Sequence, residues 1–411
     1  MKKYAIVGAS SRGTSMFALP IAEKYADVAR LVGVYDPNYK RAQLLQQKYG
    51  GGFSVYASFE EMVCDARPDI VIVTTIDRYH HEYIIQALEM GCDVITEKPM
   101  TIDEEKCNAI LEAERRTGRN VTVTFNMRFE PLVMRMKELL KQRIIGQIFS
   151  VHFEWFLDTS HGADYFRRWH RRKENSGGLQ VHKSTHHFDV INWLLEEEPV
   201  EVCAFGTLRF YGPTREQRGE RCLTCQYKNT CEFYFDIARG DMREMYLESE
   251  DVDGYYRDAC VFSDEIDIED SVSLNARYSG GAVMSYSLTA YSPYEGFKVS
   301  INGSEGRLEA ENLHGAIGPF AGEHIYKLRM YNRKQEEITV KVPVLQGMHG
   351  GSDEQLQRML FRGDVPDALH QQASSWDGAM SNAIGFAANR SMKEGRSIAI
   401  KDMIQRPGGN G

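Results

Sequence analysis

Tyr4-Ala5-Ile6-Val7-Gly8-Ala9-Ser10-Ser11-Arg12-Gly13 is a short apolar run that breaks into a glycine turn and then becomes helical. A strand, a turn of this kind and a helix bring backbone N–H groups to the helix N-terminus, where a pyrophosphate can be received. The spacing is Gly8-x-Ser10-x-x-Gly13, with serine where the dinucleotide fingerprint has its middle glycine. The backbone must still come close to the phosphate, so Ser10 and Ser11 are expected to donate hydrogen bonds to it, framed by Gly8, Arg12 and Gly13. Taken alone, a strand–turn–helix with no ligand would carry the same letters. Asp36 adds a second sign. It closes the next apolar run, Leu31–Tyr35, just before Pro37, where an acid can accept hydrogen bonds from an adenosine ribose. A carboxylate there repels a 2′-phosphate and favours NAD, while Lys40 and Arg41 follow closely and keep NADP open.

Outward from this turn the chain alternates strand and helix. A helical stretch is expected to about Ala29, a helix over Arg41–Tyr49, and further strands at Phe53–Val55, Ile70–Thr74, Asp93–Thr96 and Val121–Thr124. Helices over His81–Met90 and Glu104–Arg116 separate the later strands. This alternation predicts a doubly wound parallel sheet, a Rossmann domain over residues 1–125. After Asn126 the strands lengthen and alternate polar with apolar, as in Phe149-Ser150-Val151-His152-Phe153-Glu154-Trp155. Ser271–Tyr278 and Ala282–Thr289 repeat the pattern around Ser279-Gly280-Gly281, a hairpin signal. Residues 126–411 therefore read as a second α/β domain with a large, mainly antiparallel sheet covered on one face. An irregular, tyrosine-rich insertion occupies about 212–260, and a helical segment from Ser352 to Ile404 docks back on the body.

The composition fits this α/β reading. The chain has 411 residues, 42% of them hydrophobic and 26% charged, enough for two or three domains. Forty-nine Lys and Arg stand against 58 Asp and Glu, a net charge of −9 that argues against nucleic acid or an anionic membrane as partner. No apolar run approaches the ~20 residues needed to span a bilayer, and Met1-Lys2-Lys3 leads straight into a strand rather than a signal core. The expectation is a cytoplasmic protein.

At Glu97-Lys98-Pro99 the sequence resembles the Gfo/Idh/MocA family, that of glucose–fructose oxidoreductase and inositol dehydrogenase. The run Ile70-Val71-Ile72-Val73-Thr74-Thr75, then Asp77-x-x-His80, then Ala87-Leu88-Glu89-Met90-Gly91 and Val94-Ile95-Thr96, leads up to that triplet. Asn126-x-Arg128-Phe129-x-Pro131, Ile145-Gly146-x-Ile148, Gly177-Gly178, His186-His187-Phe188-Asp189 and the late Asn389-Arg390-Ser391 continue the match. The resemblance implies an NAD(P)-dependent enzyme oxidising a ring hydroxyl of a sugar, inositol or related polyol. It also implies an open sheet that joins subunits, so a homodimer or homotetramer is expected. Thr75, Asp77, His80, Glu97, Lys98 and Asn126 then fall on the cofactor side, and Arg128 on the substrate side. Lys98 matches the family lysine between nicotinamide and substrate, and His186 the catalytic histidine. The family's aspartate four residues before that histidine is replaced here by His182, with Lys183 beside it.

Removing the hydroxyl proton needs a base. Histidine titrates near neutrality, and a desolvated lysine can do so too. His182 and His186 would share a face one helical turn apart if the segment is a continuous helix, so His182 is a candidate for substrate contact or a proton relay. The segment Arg167-Arg168-Trp169-His170-Arg171-Arg172-Lys173 is basic in an acidic chain. Most such runs are solvated, yet Arg168 and Trp169 are candidates for holding an acidic sugar. Cys222-x-x-Cys225 with Cys231 and Cys260 is a candidate structural zinc set, against free thiols in a loop. A metal held by His161, His182 and His186 is a lesser alternative. Two rival functions stand beside the dehydrogenase: a redox-assisted glycosidase or lyase with tightly bound NAD, and a non-catalytic sensor of dinucleotide or sugar.

Overall fold

The computed structural model describes residues 1–49, 52–315, 325–342 and 351–406. The first sheet is built from β1 (Lys2–Val7), β2 (Ala29–Tyr35), β3 (Ser54–Val55), β4 (Ile70–Val73), β5 (Asp93–Thr96) and β6 (Val121–Val123). All six are parallel, in the order β6-β5-β4-β1-β2-β3. β4 is Ile-Val-Ile-Val and buried at every position, as a strand covered by helices on both faces must be. The strand order reverses between β1 and β4, which opens a crevice at their carboxyl ends. Gly8 and Thr74, the residues directly after those two strands, line it.

The second sheet contains β7 (Ile148–Asp158), β8 (Pro199–Thr207), β9 (Ser271–Tyr278), β10 (Val283–Ser292), β11 (Glu295–Gly303), β12 (Gly306–His314), β13 (Ile325–Asn332) and β14 (Glu337–Val340). Their order is β14-β13-β12-β11-β7-β10-β9-β8. β7 and β10 pair parallel, and the other neighbours pair antiparallel. Alternate residues of β9 are buried and exposed in turn, so one face carries the core and the other does not. Phe149, Phe205 and Val283 stand on β7, β8 and β10 as exposed apolar side chains.

The end of the chain returns to both sheets. The helix Ser352–Arg362 packs on the first helical segment: Gln357 Nε2 donates to Met16 O (3.1 Å), and Arg362 pairs with Asp27 (2.8 Å). β15 (Ala373–Ser374) adds antiparallel to β6 at the edge of the first sheet. The helix Ser375–Glu394 then runs between the sheets, and β16 (Ile398–Ala399) pairs with β8. The first helical segment is shorter than expected. A π-helical turn, Gly13–Ala18, continues into an α-helix that stops at Glu23. There Val28 N and Ala29 N both reach back to Tyr25 O, turning the chain into β2. Among the described residues no helix is long and apolar enough to cross a membrane.

Candidate active site

The glycine turn sits at the crevice between β1 and β4. Gly8 has φ +99°, and a Cβ on it would lie 2.7 Å from the carbonyl oxygen of Thr74. A Cβ on Gly13 would lie 2.5 Å from Gly8 O. Both glycines are therefore required by close backbone approach. Gly13→Ala should cost about 1–3 kcal/mol of stability through overpacking and lower dinucleotide affinity; thermal unfolding and NADH titration would measure both. Ser10 does not fill the role expected of it. Its hydroxyl is spent inside the turn, donating to Thr74 O (3.3 Å) and accepting from Gly13 N (3.1 Å). That bridge is how a serine is tolerated where a glycine is usual. Ser11 keeps its hydroxyl at the mouth of the turn, where it meets the hydroxyl of Tyr246 at 3.2 Å.

Asp36 closes β2 as expected. Its carboxylate accepts from Ala9 N (2.6 Å) and Asn38 N (2.7 Å), and burial pushes its pKa up. Lys40 pairs with Asp251 (2.7 Å) and Arg41 with Asp253 (2.9 Å). Both cations near the ribose position are thus already engaged.

Lys98 stands on the loop after β5, on the far side of the crevice. Its ammonium donates to His182 O (3.1 Å) and lies 3.5 Å from His182 Nε2. His182 Nδ1 in turn is 2.5 Å from Asp77 Oδ2. The result is a Lys98–His182–Asp77 line, in which the Asp77 contact fixes Nδ1 as the proton-bearing side and leaves Nε2 toward the amine. Asp77 was expected on the cofactor side; its carboxylate is instead turned onto His182. Burial pushes Lys98 down to about 8, with Asp77 pulling the other way and Lys183 reinforcing the fall. Burial also holds His182 and His186 well below the ordinary histidine range and Asp77 well above the carboxylate range.

Around this line the remaining polar groups lock together. Arg12 pairs with Glu97 (3.0 Å) and with Asp353 (3.0 Å), and Asn126 Nδ2 donates to Asp353 (2.6 Å). The turn, the Glu-Lys-Pro triplet and the returning C-terminal helix are therefore one network. His80 faces two carbonyls, Pro99 O at 2.9 Å and Thr75 O at 3.1 Å. It braces the loop that carries Lys98, and neutral imidazole can donate to only one of the two.

His182 and His186 are not on one continuous helix. His182 ends the turn Leu179–His182 and His186 begins the helix Thr185–Leu195. Gly177 and Gly178, at φ +70° and +85°, swing the first turn into place. Asn389 on the late helix holds them by donating to Gly177 O (2.7 Å). His186 is part-exposed to the cleft, with Phe125 edge-on at 6.0 Å and Nδ1 without a partner.

Trp169 stacks on His170 at 3.6 Å and meets His182 edge-on at 5.7 Å. Lys183 Nζ lies 4.6 Å over the Trp155 ring. Arg168 pairs with Asp164 (3.3 Å), which also takes Arg257 (2.7 Å). The rest of the basic run is structural: Arg171, Arg172 and Lys173 pair with Glu265 and Glu269, and Arg167 donates to Phe233 O. Arg128 is not in the cleft. It is 2% exposed, clamped by Asp189 (2.8 and 2.6 Å) and Asp377 (3.0 Å) in the core, because a buried guanidinium needs its donors filled.

The two metal expectations fail on geometry. Cys222, Cys225, Cys231 and Cys260 do line one small cavity. Yet among the described residues no group of three or more His, Cys, Asp or Glu is arranged to hold a metal ion. Arg167 sits 3.1 Å from Cys222 Sγ, and burial raises that thiol, so the sulfur faces a cation as a neutral thiol. His182 Nδ1 is committed to Asp77 and His161 Nδ1 to Glu295 (2.8 Å). The sequence reading missed Asp353, Tyr246 and Glu295, none of which stands in a recognisable spacing.

Comparison with known proteins shows the family. Residues 2–125 match the model of an oxidoreductase family with an NAD-binding Rossmann fold, and residues 137–400 the C-terminal α/β domain of the same family. YteT of Bacillus subtilis (strain 168), named as an oxidoreductase, is 38% identical over 426 residues, spanning 98% of this chain and 99% of YteT. The inositol 2-dehydrogenase of Rhizobium meliloti (strain 1021) is 30% identical over 176 residues, 43% of this chain and 50% of that enzyme. An oxidoreductase from Agrobacterium radiobacter, solved with NAD+, L-tartaric acid and magnesium, superposes with a TM-score of 0.66 at 16% identity, covering 98% and 99% of the two chains. Two family models laid end to end over nearly the whole chain, with the glycine turn, the Glu-Lys-Pro loop and the histidine helix meeting at one crevice, make this protein a member of the Gfo/Idh/MocA oxidoreductase family.

Proposed function

We propose that the chain is an NAD-dependent dehydrogenase acting on a ring hydroxyl of a sugar, inositol or related polyol, with residues 1–125 holding the dinucleotide and 126–411 the substrate. The observation that carries this reading is the Lys98–His182–Asp77 line beside the glycine turn. An amine pushed down to about 8 is poised to take a hydroxyl proton near neutrality. The residues of the turn fit a dinucleotide: Gly8 and Gly13 leave the space a Cβ would fill, and Asp36 stands at the ribose end. When bound, the nicotinamide supplies the hydride acceptor. Lys98 Nζ takes the hydroxyl proton, and the resulting ammonium is held by His182 O at 3.1 Å and His182 Nε2 at 3.5 Å. Asp77, against His182 Nδ1, orients the ring so that Nε2 faces the amine. His186, kept neutral by burial, hydrogen-bonds the reacting hydroxyl without competing for the charge.

Two finer points follow. Asp36 repels a 2′-phosphate, and Lys40 and Arg41 are already paired with acids, which supports NAD over NADP. On the substrate side, Trp155 and Trp169 are suited to the faces of a sugar ring. Lys183 has no hydrogen-bond acceptor among the described residues and rests on Trp155; this uncommitted cation favours a substrate with a carboxylate. The test is a panel of neutral and acidic sugars and polyols assayed for NADH and NADPH. NADH formation with the acidic members is the expected result. No NADH from any member, with no dinucleotide binding, would overturn the reading. A redox-assisted glycosidase or lyase is favoured by one observation, the Tyr246 hydroxyl of the insertion set 3.2 Å from Ser11 at the mouth of the glycine turn.

A further inference from the structure

The insertion between β8 and β9 belongs by sequence to the second domain, yet one stretch of it lies on the first. Residues 240–254 form the short helices Gly240–Met245 and Glu250–Asp253. Tyr246 between them brings its hydroxyl to Ser11 at the mouth of the glycine turn (3.2 Å). Asn38, just after Asp36, donates to Ser249 O (2.8 Å), and both residues are 1% exposed. The Arg41 guanidinium lies against the rings of Tyr246 and Tyr255, 5.4 and 5.6 Å from their centroids, and the two rings meet edge-on at 6.1 Å. Outside these contacts sits an ionic rim. Lys48 pairs with Asp241 (2.8 Å) and Glu244 (2.7 Å), and Lys40 with Asp251 (2.7 Å).

The other end of the stretch is fixed to the second domain. Arg221 pairs with Glu250 (2.9 Å) and Asp258 (2.7 Å), and Arg257 with Asp164 (2.7 Å). Tyr255 faces Arg168 on the substrate side. The residues gripped on the first domain are those at the phosphate turn and at the ribose end of β2. Exposed ion pairs contribute little singly, but the buried Asn38–Ser249 hydrogen bond and the contact of Arg41 with the Tyr246 ring have to be broken to lift the stretch.

We propose that residues 240–254 form a clasp over the adenosine half of the bound dinucleotide, with Tyr246 as a cofactor-contacting residue contributed by the second domain. The phenol of Tyr246, beside Ser11, donates to a phosphate oxygen received at the turn. The dinucleotide leaves only when the clasp opens, so its release is slowed. This rests on the dinucleotide reading above, and the experiment separates the two.

Full-length protein is loaded with NADH, and its release is followed by fluorescence after mixing with excess NAD+. Lys48→Glu sets a third negative charge against Asp241 and Glu244 at an exposed position; Tyr246→Ala removes the ring. The wild type is expected to keep NADH through gel filtration, and both variants to release it at least about 10-fold faster, an effect confined to the dissociation rate. Trypsin should cut within 240–254 faster in the variants, and NADH should protect the wild type. Wild-type binding of NADH with unchanged release from both variants overturns the clasp alone. No binding of NADH or NADPH by any form overturns the dinucleotide reading and the clasp with it.

Discussion

Lys98→Met should remove almost all turnover and at the same time make the protein more stable. On the proposed reading the amine takes the hydroxyl proton, and general-base catalysis is worth about 10²–10⁴-fold. A loss of that size in kcat is expected, with the dissociation constant for NADH little changed. The stability gain has its own sign. Lys98 binds its proton more weakly folded, at about 8, than unfolded, at 10.5. Its ammonium therefore opposes folding at every pH below about 8. Between about 8 and 10.5 the folded amine is neutral while the unfolded one is still charged, so wild-type stability rises with pH across that window. Water in the cleft screens part of the cost, which leaves about 1–3 kcal/mol for methionine to recover. Denaturant melts at pH 7 and at pH 10 would read it: Lys98→Met above wild type at the lower pH, and the gap closing at the higher one. A variant less stable than wild type at pH 7 would show that the ammonium is well solvated in the cleft and not a strained base.

Part of this was legible in the residues and part was not. Parallel strands buried on both faces and antiparallel strands buried on one differ in hydrophobic period, so both sheets could be read directly. The glycines could be read because backbone contact under 3 Å admits nothing larger. Single polar side chains were harder. Ser10 and Asp77 stand at positions where a ligand contact is reasonable, yet Ser10 closes on its own turn and Asp77 turns to His182. Such a choice depends on partners brought from 64 and 105 residues away. Arg128 and the basic run show the same limit from the other side. Their charge suggested a ligand, and the fold had already supplied Asp189, Asp377, Glu265 and Glu269. The insertion's position was not legible at all, since its contacts are with surface residues of a domain some 200 positions earlier.

Asp77→Asn and Lys183→Met should move the pH profile in opposite directions, and that opposition tests whether Lys98 is the titrating base. Asp77 is the strongest influence holding Lys98's proton on, and Lys183 is the strongest charge helping to push it off. Without the Asp77 carboxylate the amine loses its proton more easily, so the rising limb of kcat shifts to lower pH. Its maximum should also fall by about 10²-fold, because the His182 ring is no longer oriented toward the amine. Without the Lys183 ammonium the amine holds its proton longer, and the limb shifts above about 8. A third quantity separates Lys183's two roles. If its ammonium also receives a substrate carboxylate, KM for acidic sugars rises in Lys183→Met while KM for neutral ones does not, and the shift of the limb is the same for both. His186 as the titrating group would predict something else. Lys98 and Lys183 both lower its affinity for a proton, and Asp77 is not among the leading influences on it. Asp77→Asn would then move the limb less than Lys183→Met, which would lift it to higher pH, so the two variants together assign the base to one residue or the other.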